Sequence, residues 1–154
     1  MYVLTLLAHS YTRWAVLITV LLVSVRCARG WAQGREWTRA DELAHKALMV
    51  AVNWQFTLGV IMYLFLSPNS RVFFTHFKLG YGDPTLRFFG LEHPLAMLTA
   101  VSLVHFGRER SGKRSGMERH RTAFRWTIAA LLVFAIAIPW PFLKYGRPLV
   151  RTIF

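Results

Sequence analysis

The sequence predicts an all-α integral membrane protein: four helices running up and down across a bilayer as one domain, residues 1–154, with both ends of the chain outside. Three observations predict it. The 154 residues are 55% hydrophobic and only 17% charged, where ordinary globular chains are about 25% charged, and the mean hydropathy is +0.35. The apolar residues fall in four long runs rather than in short alternating ones, as in a bilayer-embedded chain. Most of the basic residues gather in two short joints between those runs.

The first span covers about residues 2–25 and is apolar except at His9, Ser10, Thr12 and Arg13. At 1.5 Å per residue it reaches about 36 Å, enough to cross a hydrocarbon core of ~30 Å with some tilt. It does not read as a cleaved leader, because no basic stretch precedes it and Arg26 and Arg29 stand where small residues belong. The second span, residues 47–66, follows a polar helix start: Thr38 is an N-cap candidate, and Asp41 and Glu42 sit in the first turn, where the helix dipole favours acids. Ser67-Pro68-Asn69-Ser70 ends it.

The outer loop after it, residues 67–85, carries Arg71-Val72-Phe73-Phe74-Thr75-His76-Phe77, which reads either as a short amphipathic piece lying along the interface or as a cap on the bundle. The third span, residues 86–106, is expected to stop at Gly107 and to kink at Pro94, which has no backbone donor. The fourth, residues 123–142, is preceded by Ser115-Gly116-Met117-Glu118, the spacing of a capping box, and ends in Pro139-Trp140-Pro141.

Charge sets the orientation. Arg26, Arg29, Arg35, Arg39 and Lys46 lie between spans one and two; Arg108, Arg110, Lys113, Arg114, Arg119, Arg121 and Arg125 lie between spans three and four. The positive-inside rule puts both joints in the cytoplasm. The net charge of +12 is thus a topology signal and an attraction to anionic headgroups. Nucleic-acid binding is excluded as a reading, since no soluble domain offers a basic face. A single cysteine, Cys27, excludes an internal disulfide framework, and the absence of CxxC motifs excludes zinc ribbons and covalently attached haem.

The six histidines carry the chemistry. His9 lies seven residues from the outer start of span one and His93 seven from that of span three, so both sit about 10 Å below the outer surface. Two imidazoles level with each other on two helices are the axial ligand set of a bis-histidine haem. Gly90, on the approach to His93, leaves room for a flat macrocycle. Arg13, one turn below His9, would be satisfied by a haem propionate, by Glu92 or by a carbonyl of a neighbouring helix, and Glu92 is either a partner fixing a histidine tautomer or a residue facing the interface. A hydrogen-bonded histidine pair, a quinone site using Gln55, and another metal are the competing readings. His45, His105 and His120 mark a possible second site near the cytoplasmic side. His93 and His105 are twelve residues and thus about 120° apart around the helix, so that site would need a pocket of its own.

The stretches His9-Ser10-Tyr11-Thr12-Arg13-Trp14, Gln55 with Gly59, Glu92-His93-Pro94 through His105, and Pro139-Trp140-Pro141-Phe142 resemble small four-helix bacterial membrane proteins of the b-type cytochrome kind. The resemblance implies non-covalent haem b, electron transfer, and His9 and His93 as ligands. The expectation is therefore a multi-pass protein of the bacterial inner membrane, passing electrons near the outer face as a subunit of a respiratory or photosynthetic complex rather than a stand-alone enzyme. Its partners are the lipid bilayer and other subunits. The alternative is a cofactor-free accessory subunit whose histidines bond helix to helix.

Overall fold

The computed structural model describes residues 1–151, which are all-α with no strand. Seven helices follow one another: α1 (Tyr2–Ala32), α2 (Arg39–Ile61), α3 (Pro68–Thr75), α4 (Phe77–Gly82), α5 (Pro84–Arg87), α6 (His93–Gly112) and α7 (Gly116–Ala137). Two π-helical turns, Met62–Leu66 after α2 and Phe88–Glu92 before α6, complete the helical chain. The four long helices pack as a ring of neighbours: α1 on α2 and α7, α6 on α7 and, more loosely, on α2. Thus α1 and α6 face each other across the middle.

Local chemistry explains the ends. Helix α1 runs seven residues past the expected span, through Arg26 and Arg29, and stops where Gly34 turns left-handed at φ 60°. There Gly34 N–H donates to Trp31 O at 3.2 Å and Arg35 N–H to Gly30 O at 2.9 Å, the paired closure of a Schellman motif. Helix α2 opens with a complete capping box, Thr38 with Asp41. The matching motif expected at Ser115 does not form. Gly116 takes φ 51°, so the first turn of α7 is open, and Glu118 pairs with Arg121 instead.

Two further boundaries differ from expectation. The third long helix does not stop at Gly107 but runs to Gly112, and the disturbance near Pro94 is a π turn immediately before it. The fourth ends at Ala137 rather than at residue 142, because Pro139 and Pro141 remove the next backbone donors.

The core is built of small and β-branched residues, among them Val16, Val20, Val23, Ala100, Ala123 and Ala130. Close approach depends on glycine at two crossings: a Cβ at Gly30 would lie 2.4 Å from the His120 ring, and one at Gly107 would lie 2.4 Å from Trp126 Cβ. Facing outward are Ile18, Leu21, Val50, Trp54, Leu95, Leu98, Leu132 and Ile136, large apolar side chains on all four long helices. Two helical segments, Tyr2–Ala32 and Arg39–Leu66, are long and apolar enough to cross a membrane, and only 11% of the most apolar stretch of the second is buried.

Substituting Gly30→Ala forces the His120 ring or the α1 backbone to move. It should cost about 1–3 kcal/mol, read as a lowered melting temperature in detergent. Gly82→Ala, where a Cβ meets nothing within 4 Å, should leave the melt unchanged.

Candidate functional site: a histidine-lined cavity

Three prolines leave backbone carbonyls short of their helical donors, and those carbonyls organise the site. A helical carbonyl is bonded by the N–H four residues on, which proline lacks. Gly90 O, four residues before Pro94, accepts the Tyr63 hydroxyl at 2.7 Å. Ala135 O, four before Pro139, accepts Trp140 Nε1–H at 2.7 Å. Ala137 O, the last carbonyl of α7, left open where the Pro139-Trp140-Pro141 stop turns the chain extended at Ile138, lies 2.8 Å from His93 Nδ1. A carbonyl can only accept, so His93 carries its proton on Nδ1 and presents the lone pair on Nε2.

His9 approaches from the facing helix. The two ring centroids are 6.5 Å apart with planes at 74°. Gln55 Nε2 lies 3.1 Å from His9 Nε2, while the Gln55 carbonyl accepts the Thr12 hydroxyl. That amide orientation makes Gln55 the donor to His9, which places the His9 proton on Nδ1, and Nδ1 is buried without a partner. Gly59 allows this approach: a Cβ there would lie 3.2 Å from His9 Cε1.

Both histidines line a cavity of about 250 Å³, walled by Met97, Phe134 and Phe56 and rimmed by Arg13, Arg147 and Arg151. Arg13 donates to Leu149 O at 2.7 Å and keeps its Nε buried and unpartnered. Glu92 partners neither Arg13 nor a histidine. It turns outward to Arg87, with Nε–Oε1 at 2.6 Å. Gly90 leaves no space for a macrocycle, since Phe73 of α3 already fills the position its Cβ would take, 2.3 Å from Phe73 Cγ.

The other histidines divide. His45 and His120 are buried at the opposite, arginine-rich end, both packed on Trp37 with centroids 5.2 and 4.9 Å away. His105 stands apart at an exposed position, donating to Asn53 Oδ1 at 3.0 Å. The three do not form one group. What surrounds His45 and His120 is an ion-pair cluster: Asp41, 1% exposed, pairs with Arg26 at 2.8 Å and Arg35 at 2.9 Å. Glu42 pairs with Arg108 and Arg119, and Arg119 lies over Trp37 at 4.2 Å. Among the described residues no group of three or more His, Cys, Asp or Glu could hold a metal ion by itself. A porphyrin supplies four of the six iron ligands, so two facing imidazoles suffice for haem. No family model, curated protein or solved structure matches the chain.

Sequence reasoning did not foresee Arg147 and Arg151 at the cavity, nor Ala137 as the anchor of His93. The Pro139-Trp140-Pro141 stop, which leaves the last carbonyls of α7 open, was the available signal.

Two predictions follow from these contacts. With Nδ1 tied to Ala137 O, the ¹⁵N imidazole shifts of His93 should report the Nδ1–H tautomer; an Nε2–H pattern would refute the anchoring role. At the other end, burial alone would raise the Asp41 pKa, but hydrogen bonds from Arg35, Thr38 and Arg26 outweigh it and hold the carboxyl well below its ordinary range. Its stabilisation is complete above the unfolded value of about 3.9 and fades as pH falls through the folded value. Below about pH 4 the melting temperature of the wild type should therefore fall more steeply than that of Asp41→Asn.

Proposed function

We propose that this chain is a membrane-spanning four-helix protein that binds haem b between His9 and His93 and carries single electrons, as a subunit of a bacterial inner-membrane electron-transport complex. One observation carries the reading: imidazoles from two long helices line one cavity with their ring centroids 6.5 Å apart. Two rings bound to one iron at about 2 Å per Fe–N bond have centroids about 6.3 Å apart, close to the 6.5 Å found.

The residues fit the group in three respects. His93 already presents Nε2, its other nitrogen tied to Ala137 O, as axial histidines are oriented by a second hydrogen bond. His9, protonated on Nδ1, has its lone pair on Nε2 and would exchange the Gln55 contact there for the iron while Thr12 keeps hold of Gln55. Arg13 and the apolar walls provide charge neutralisation and exclusion of water. Bound there, haem b would supply one-electron oxidation and reduction, and the chain supplies ligands and a dry, oriented pocket.

Membrane insertion is supported by the large apolar side chains exposed on all four long helices and by the small residues at the crossings. The basic joints support a multi-pass arrangement with the histidine cavity on the outer side. The second reading is a cofactor-free accessory subunit. It is favoured by one observation: both imidazoles already bond to a neighbouring helix, through Gln55 and Ala137.

An absorption spectrum of protein purified from haem-sufficient cells decides between them. The expected result is the sharp reduced bands of a low-spin bis-imidazole haem, lost in His9→Ala and in His93→Ala. No Soret band favours the accessory subunit. For topology, a reporter fused after residue 154 should be active only outside the cytoplasm; activity inside would overturn the orientation.

A further inference from the structure

The cations around the cavity arrive from two directions. Arg13 belongs to α1, while Arg147 and Arg151 lie on the segment after α7. With Pro139 and Pro141 blocking the helix, that segment doubles back: Gly146 N–H donates to Leu143 O at 2.8 Å and Arg147 N–H to Pro139 O at 2.9 Å. A Cβ at Gly146 would lie 2.5 Å from Trp140 O, so the turn requires glycine. The segment is then pinned to both sides of the opening. On α1, Arg13 and Trp14 Nε1–H donate to Leu149 O, at 2.7 and 3.1 Å, and the Tyr11 hydroxyl donates to Arg151 O at 2.8 Å. Beside α6, Tyr145 stacks on Phe88 with centroids 3.7 Å apart. It is a strap across the mouth of the cavity.

Among the described residues no carboxylate lines the cavity. Nearby Glu92 is committed to Arg87, and Asp83 caps α5. Burial and the neighbouring Arg147 charge push Arg151 below its ordinary pKa. Three permanently charged guanidiniums facing one apolar space repel one another unless an anion joins them.

We propose that the cavity takes a ligand with an apolar body and one or more carboxylates, and that Arg13, Arg147 and Arg151 are the residues that bind those carboxylates, with the strap closing over the ligand. The inference extends the haem reading, since it adds the strap to the site, but it does not depend on iron.

Iron-free protoporphyrin offers the ring and two carboxylates without a metal, and its dimethyl ester is the neutral counterpart. Each is titrated into the full chain in neutral detergent, following porphyrin fluorescence. The free acid should bind about tenfold or more tighter than the ester, as charge-assisted bonds of this kind allow. The triple variant Arg13→Gln/Arg147→Gln/Arg151→Gln should lose that advantage and bind the ester unchanged, while the corresponding Lys variant keeps part of it, which separates charge from folding. Equal affinity for acid and ester, binding of neither, or a triple variant that behaves as wild type overturns the proposal; the last result assigns the arginines to lipid phosphates. The wild-type chain is read twice, for haem absorption as purified and for binding of the iron-free acid. Absence of the haem spectrum with retained acid binding would thus separate failure of the iron reading from failure of this one.

Discussion

A carbonyl deprived of its helical donor inside an apolar structure must find another, because leaving it bare costs several kcal/mol. Three such carbonyls, at Gly90, Ala135 and Ala137, tie together the histidine end of this protein. Tyr63 reaches from the turn after α2 to the turn before α6, Trp140 closes the end of α7 on itself, and His93 joins α6 to α7. The last of these does more than fasten helices. By accepting the Nδ1 proton, Ala137 decides which nitrogen of His93 faces the cavity, and so what the cavity can bind.

The two ends of the molecule solve opposite problems. At the arginine-rich end, Asp41 and Glu42 each take two arginines, Trp37 fills the space beside His45 and His120, and Gly30 lets α1 lie against the His120 ring. Charge pairing that is buried and multiply hydrogen-bonded is destabilising to break, so this end is closed and committed. At the histidine end α6 and α2 meet loosely, the prolines interrupt regular helix, and polar atoms of His9 and Arg13 stay buried without partners. Arg119, His120 and Arg121 also keep buried nitrogens without partners at the other end, but those of His9 and Arg13 belong to residues lining an open space, which is where something else can bind.

How much of this was readable beforehand differs from motif to motif. Thr38 and Asp41 form their capping box because both reaching groups are local and nothing competes for them. The same spacing at Ser115 and Glu118 fails because the intervening glycine takes a left-handed φ and Arg121 claims the carboxylate. Gly90 reads in isolation as room beside a histidine, yet the aromatic ring that occupies it comes from the loop helix α3. Glu92 stands next to His93 in the chain but on another face of the helix, where Arg87 holds it.

Periodicity, apolar run length and the distribution of basic residues are properties of neighbouring residues in the chain. They were enough for the all-α class and for the long apolar helices. Which side chains share a space is a property of helix rotation and of where the chain returns. Only the packed structure decided that Phe73 fills the gap at Gly90, that Trp37 sits against His45 and His120, and that Arg147 and Arg151 come back to Arg13. Those contacts join residues far apart in the chain, and local propensity says nothing about the angle at which one helix meets another.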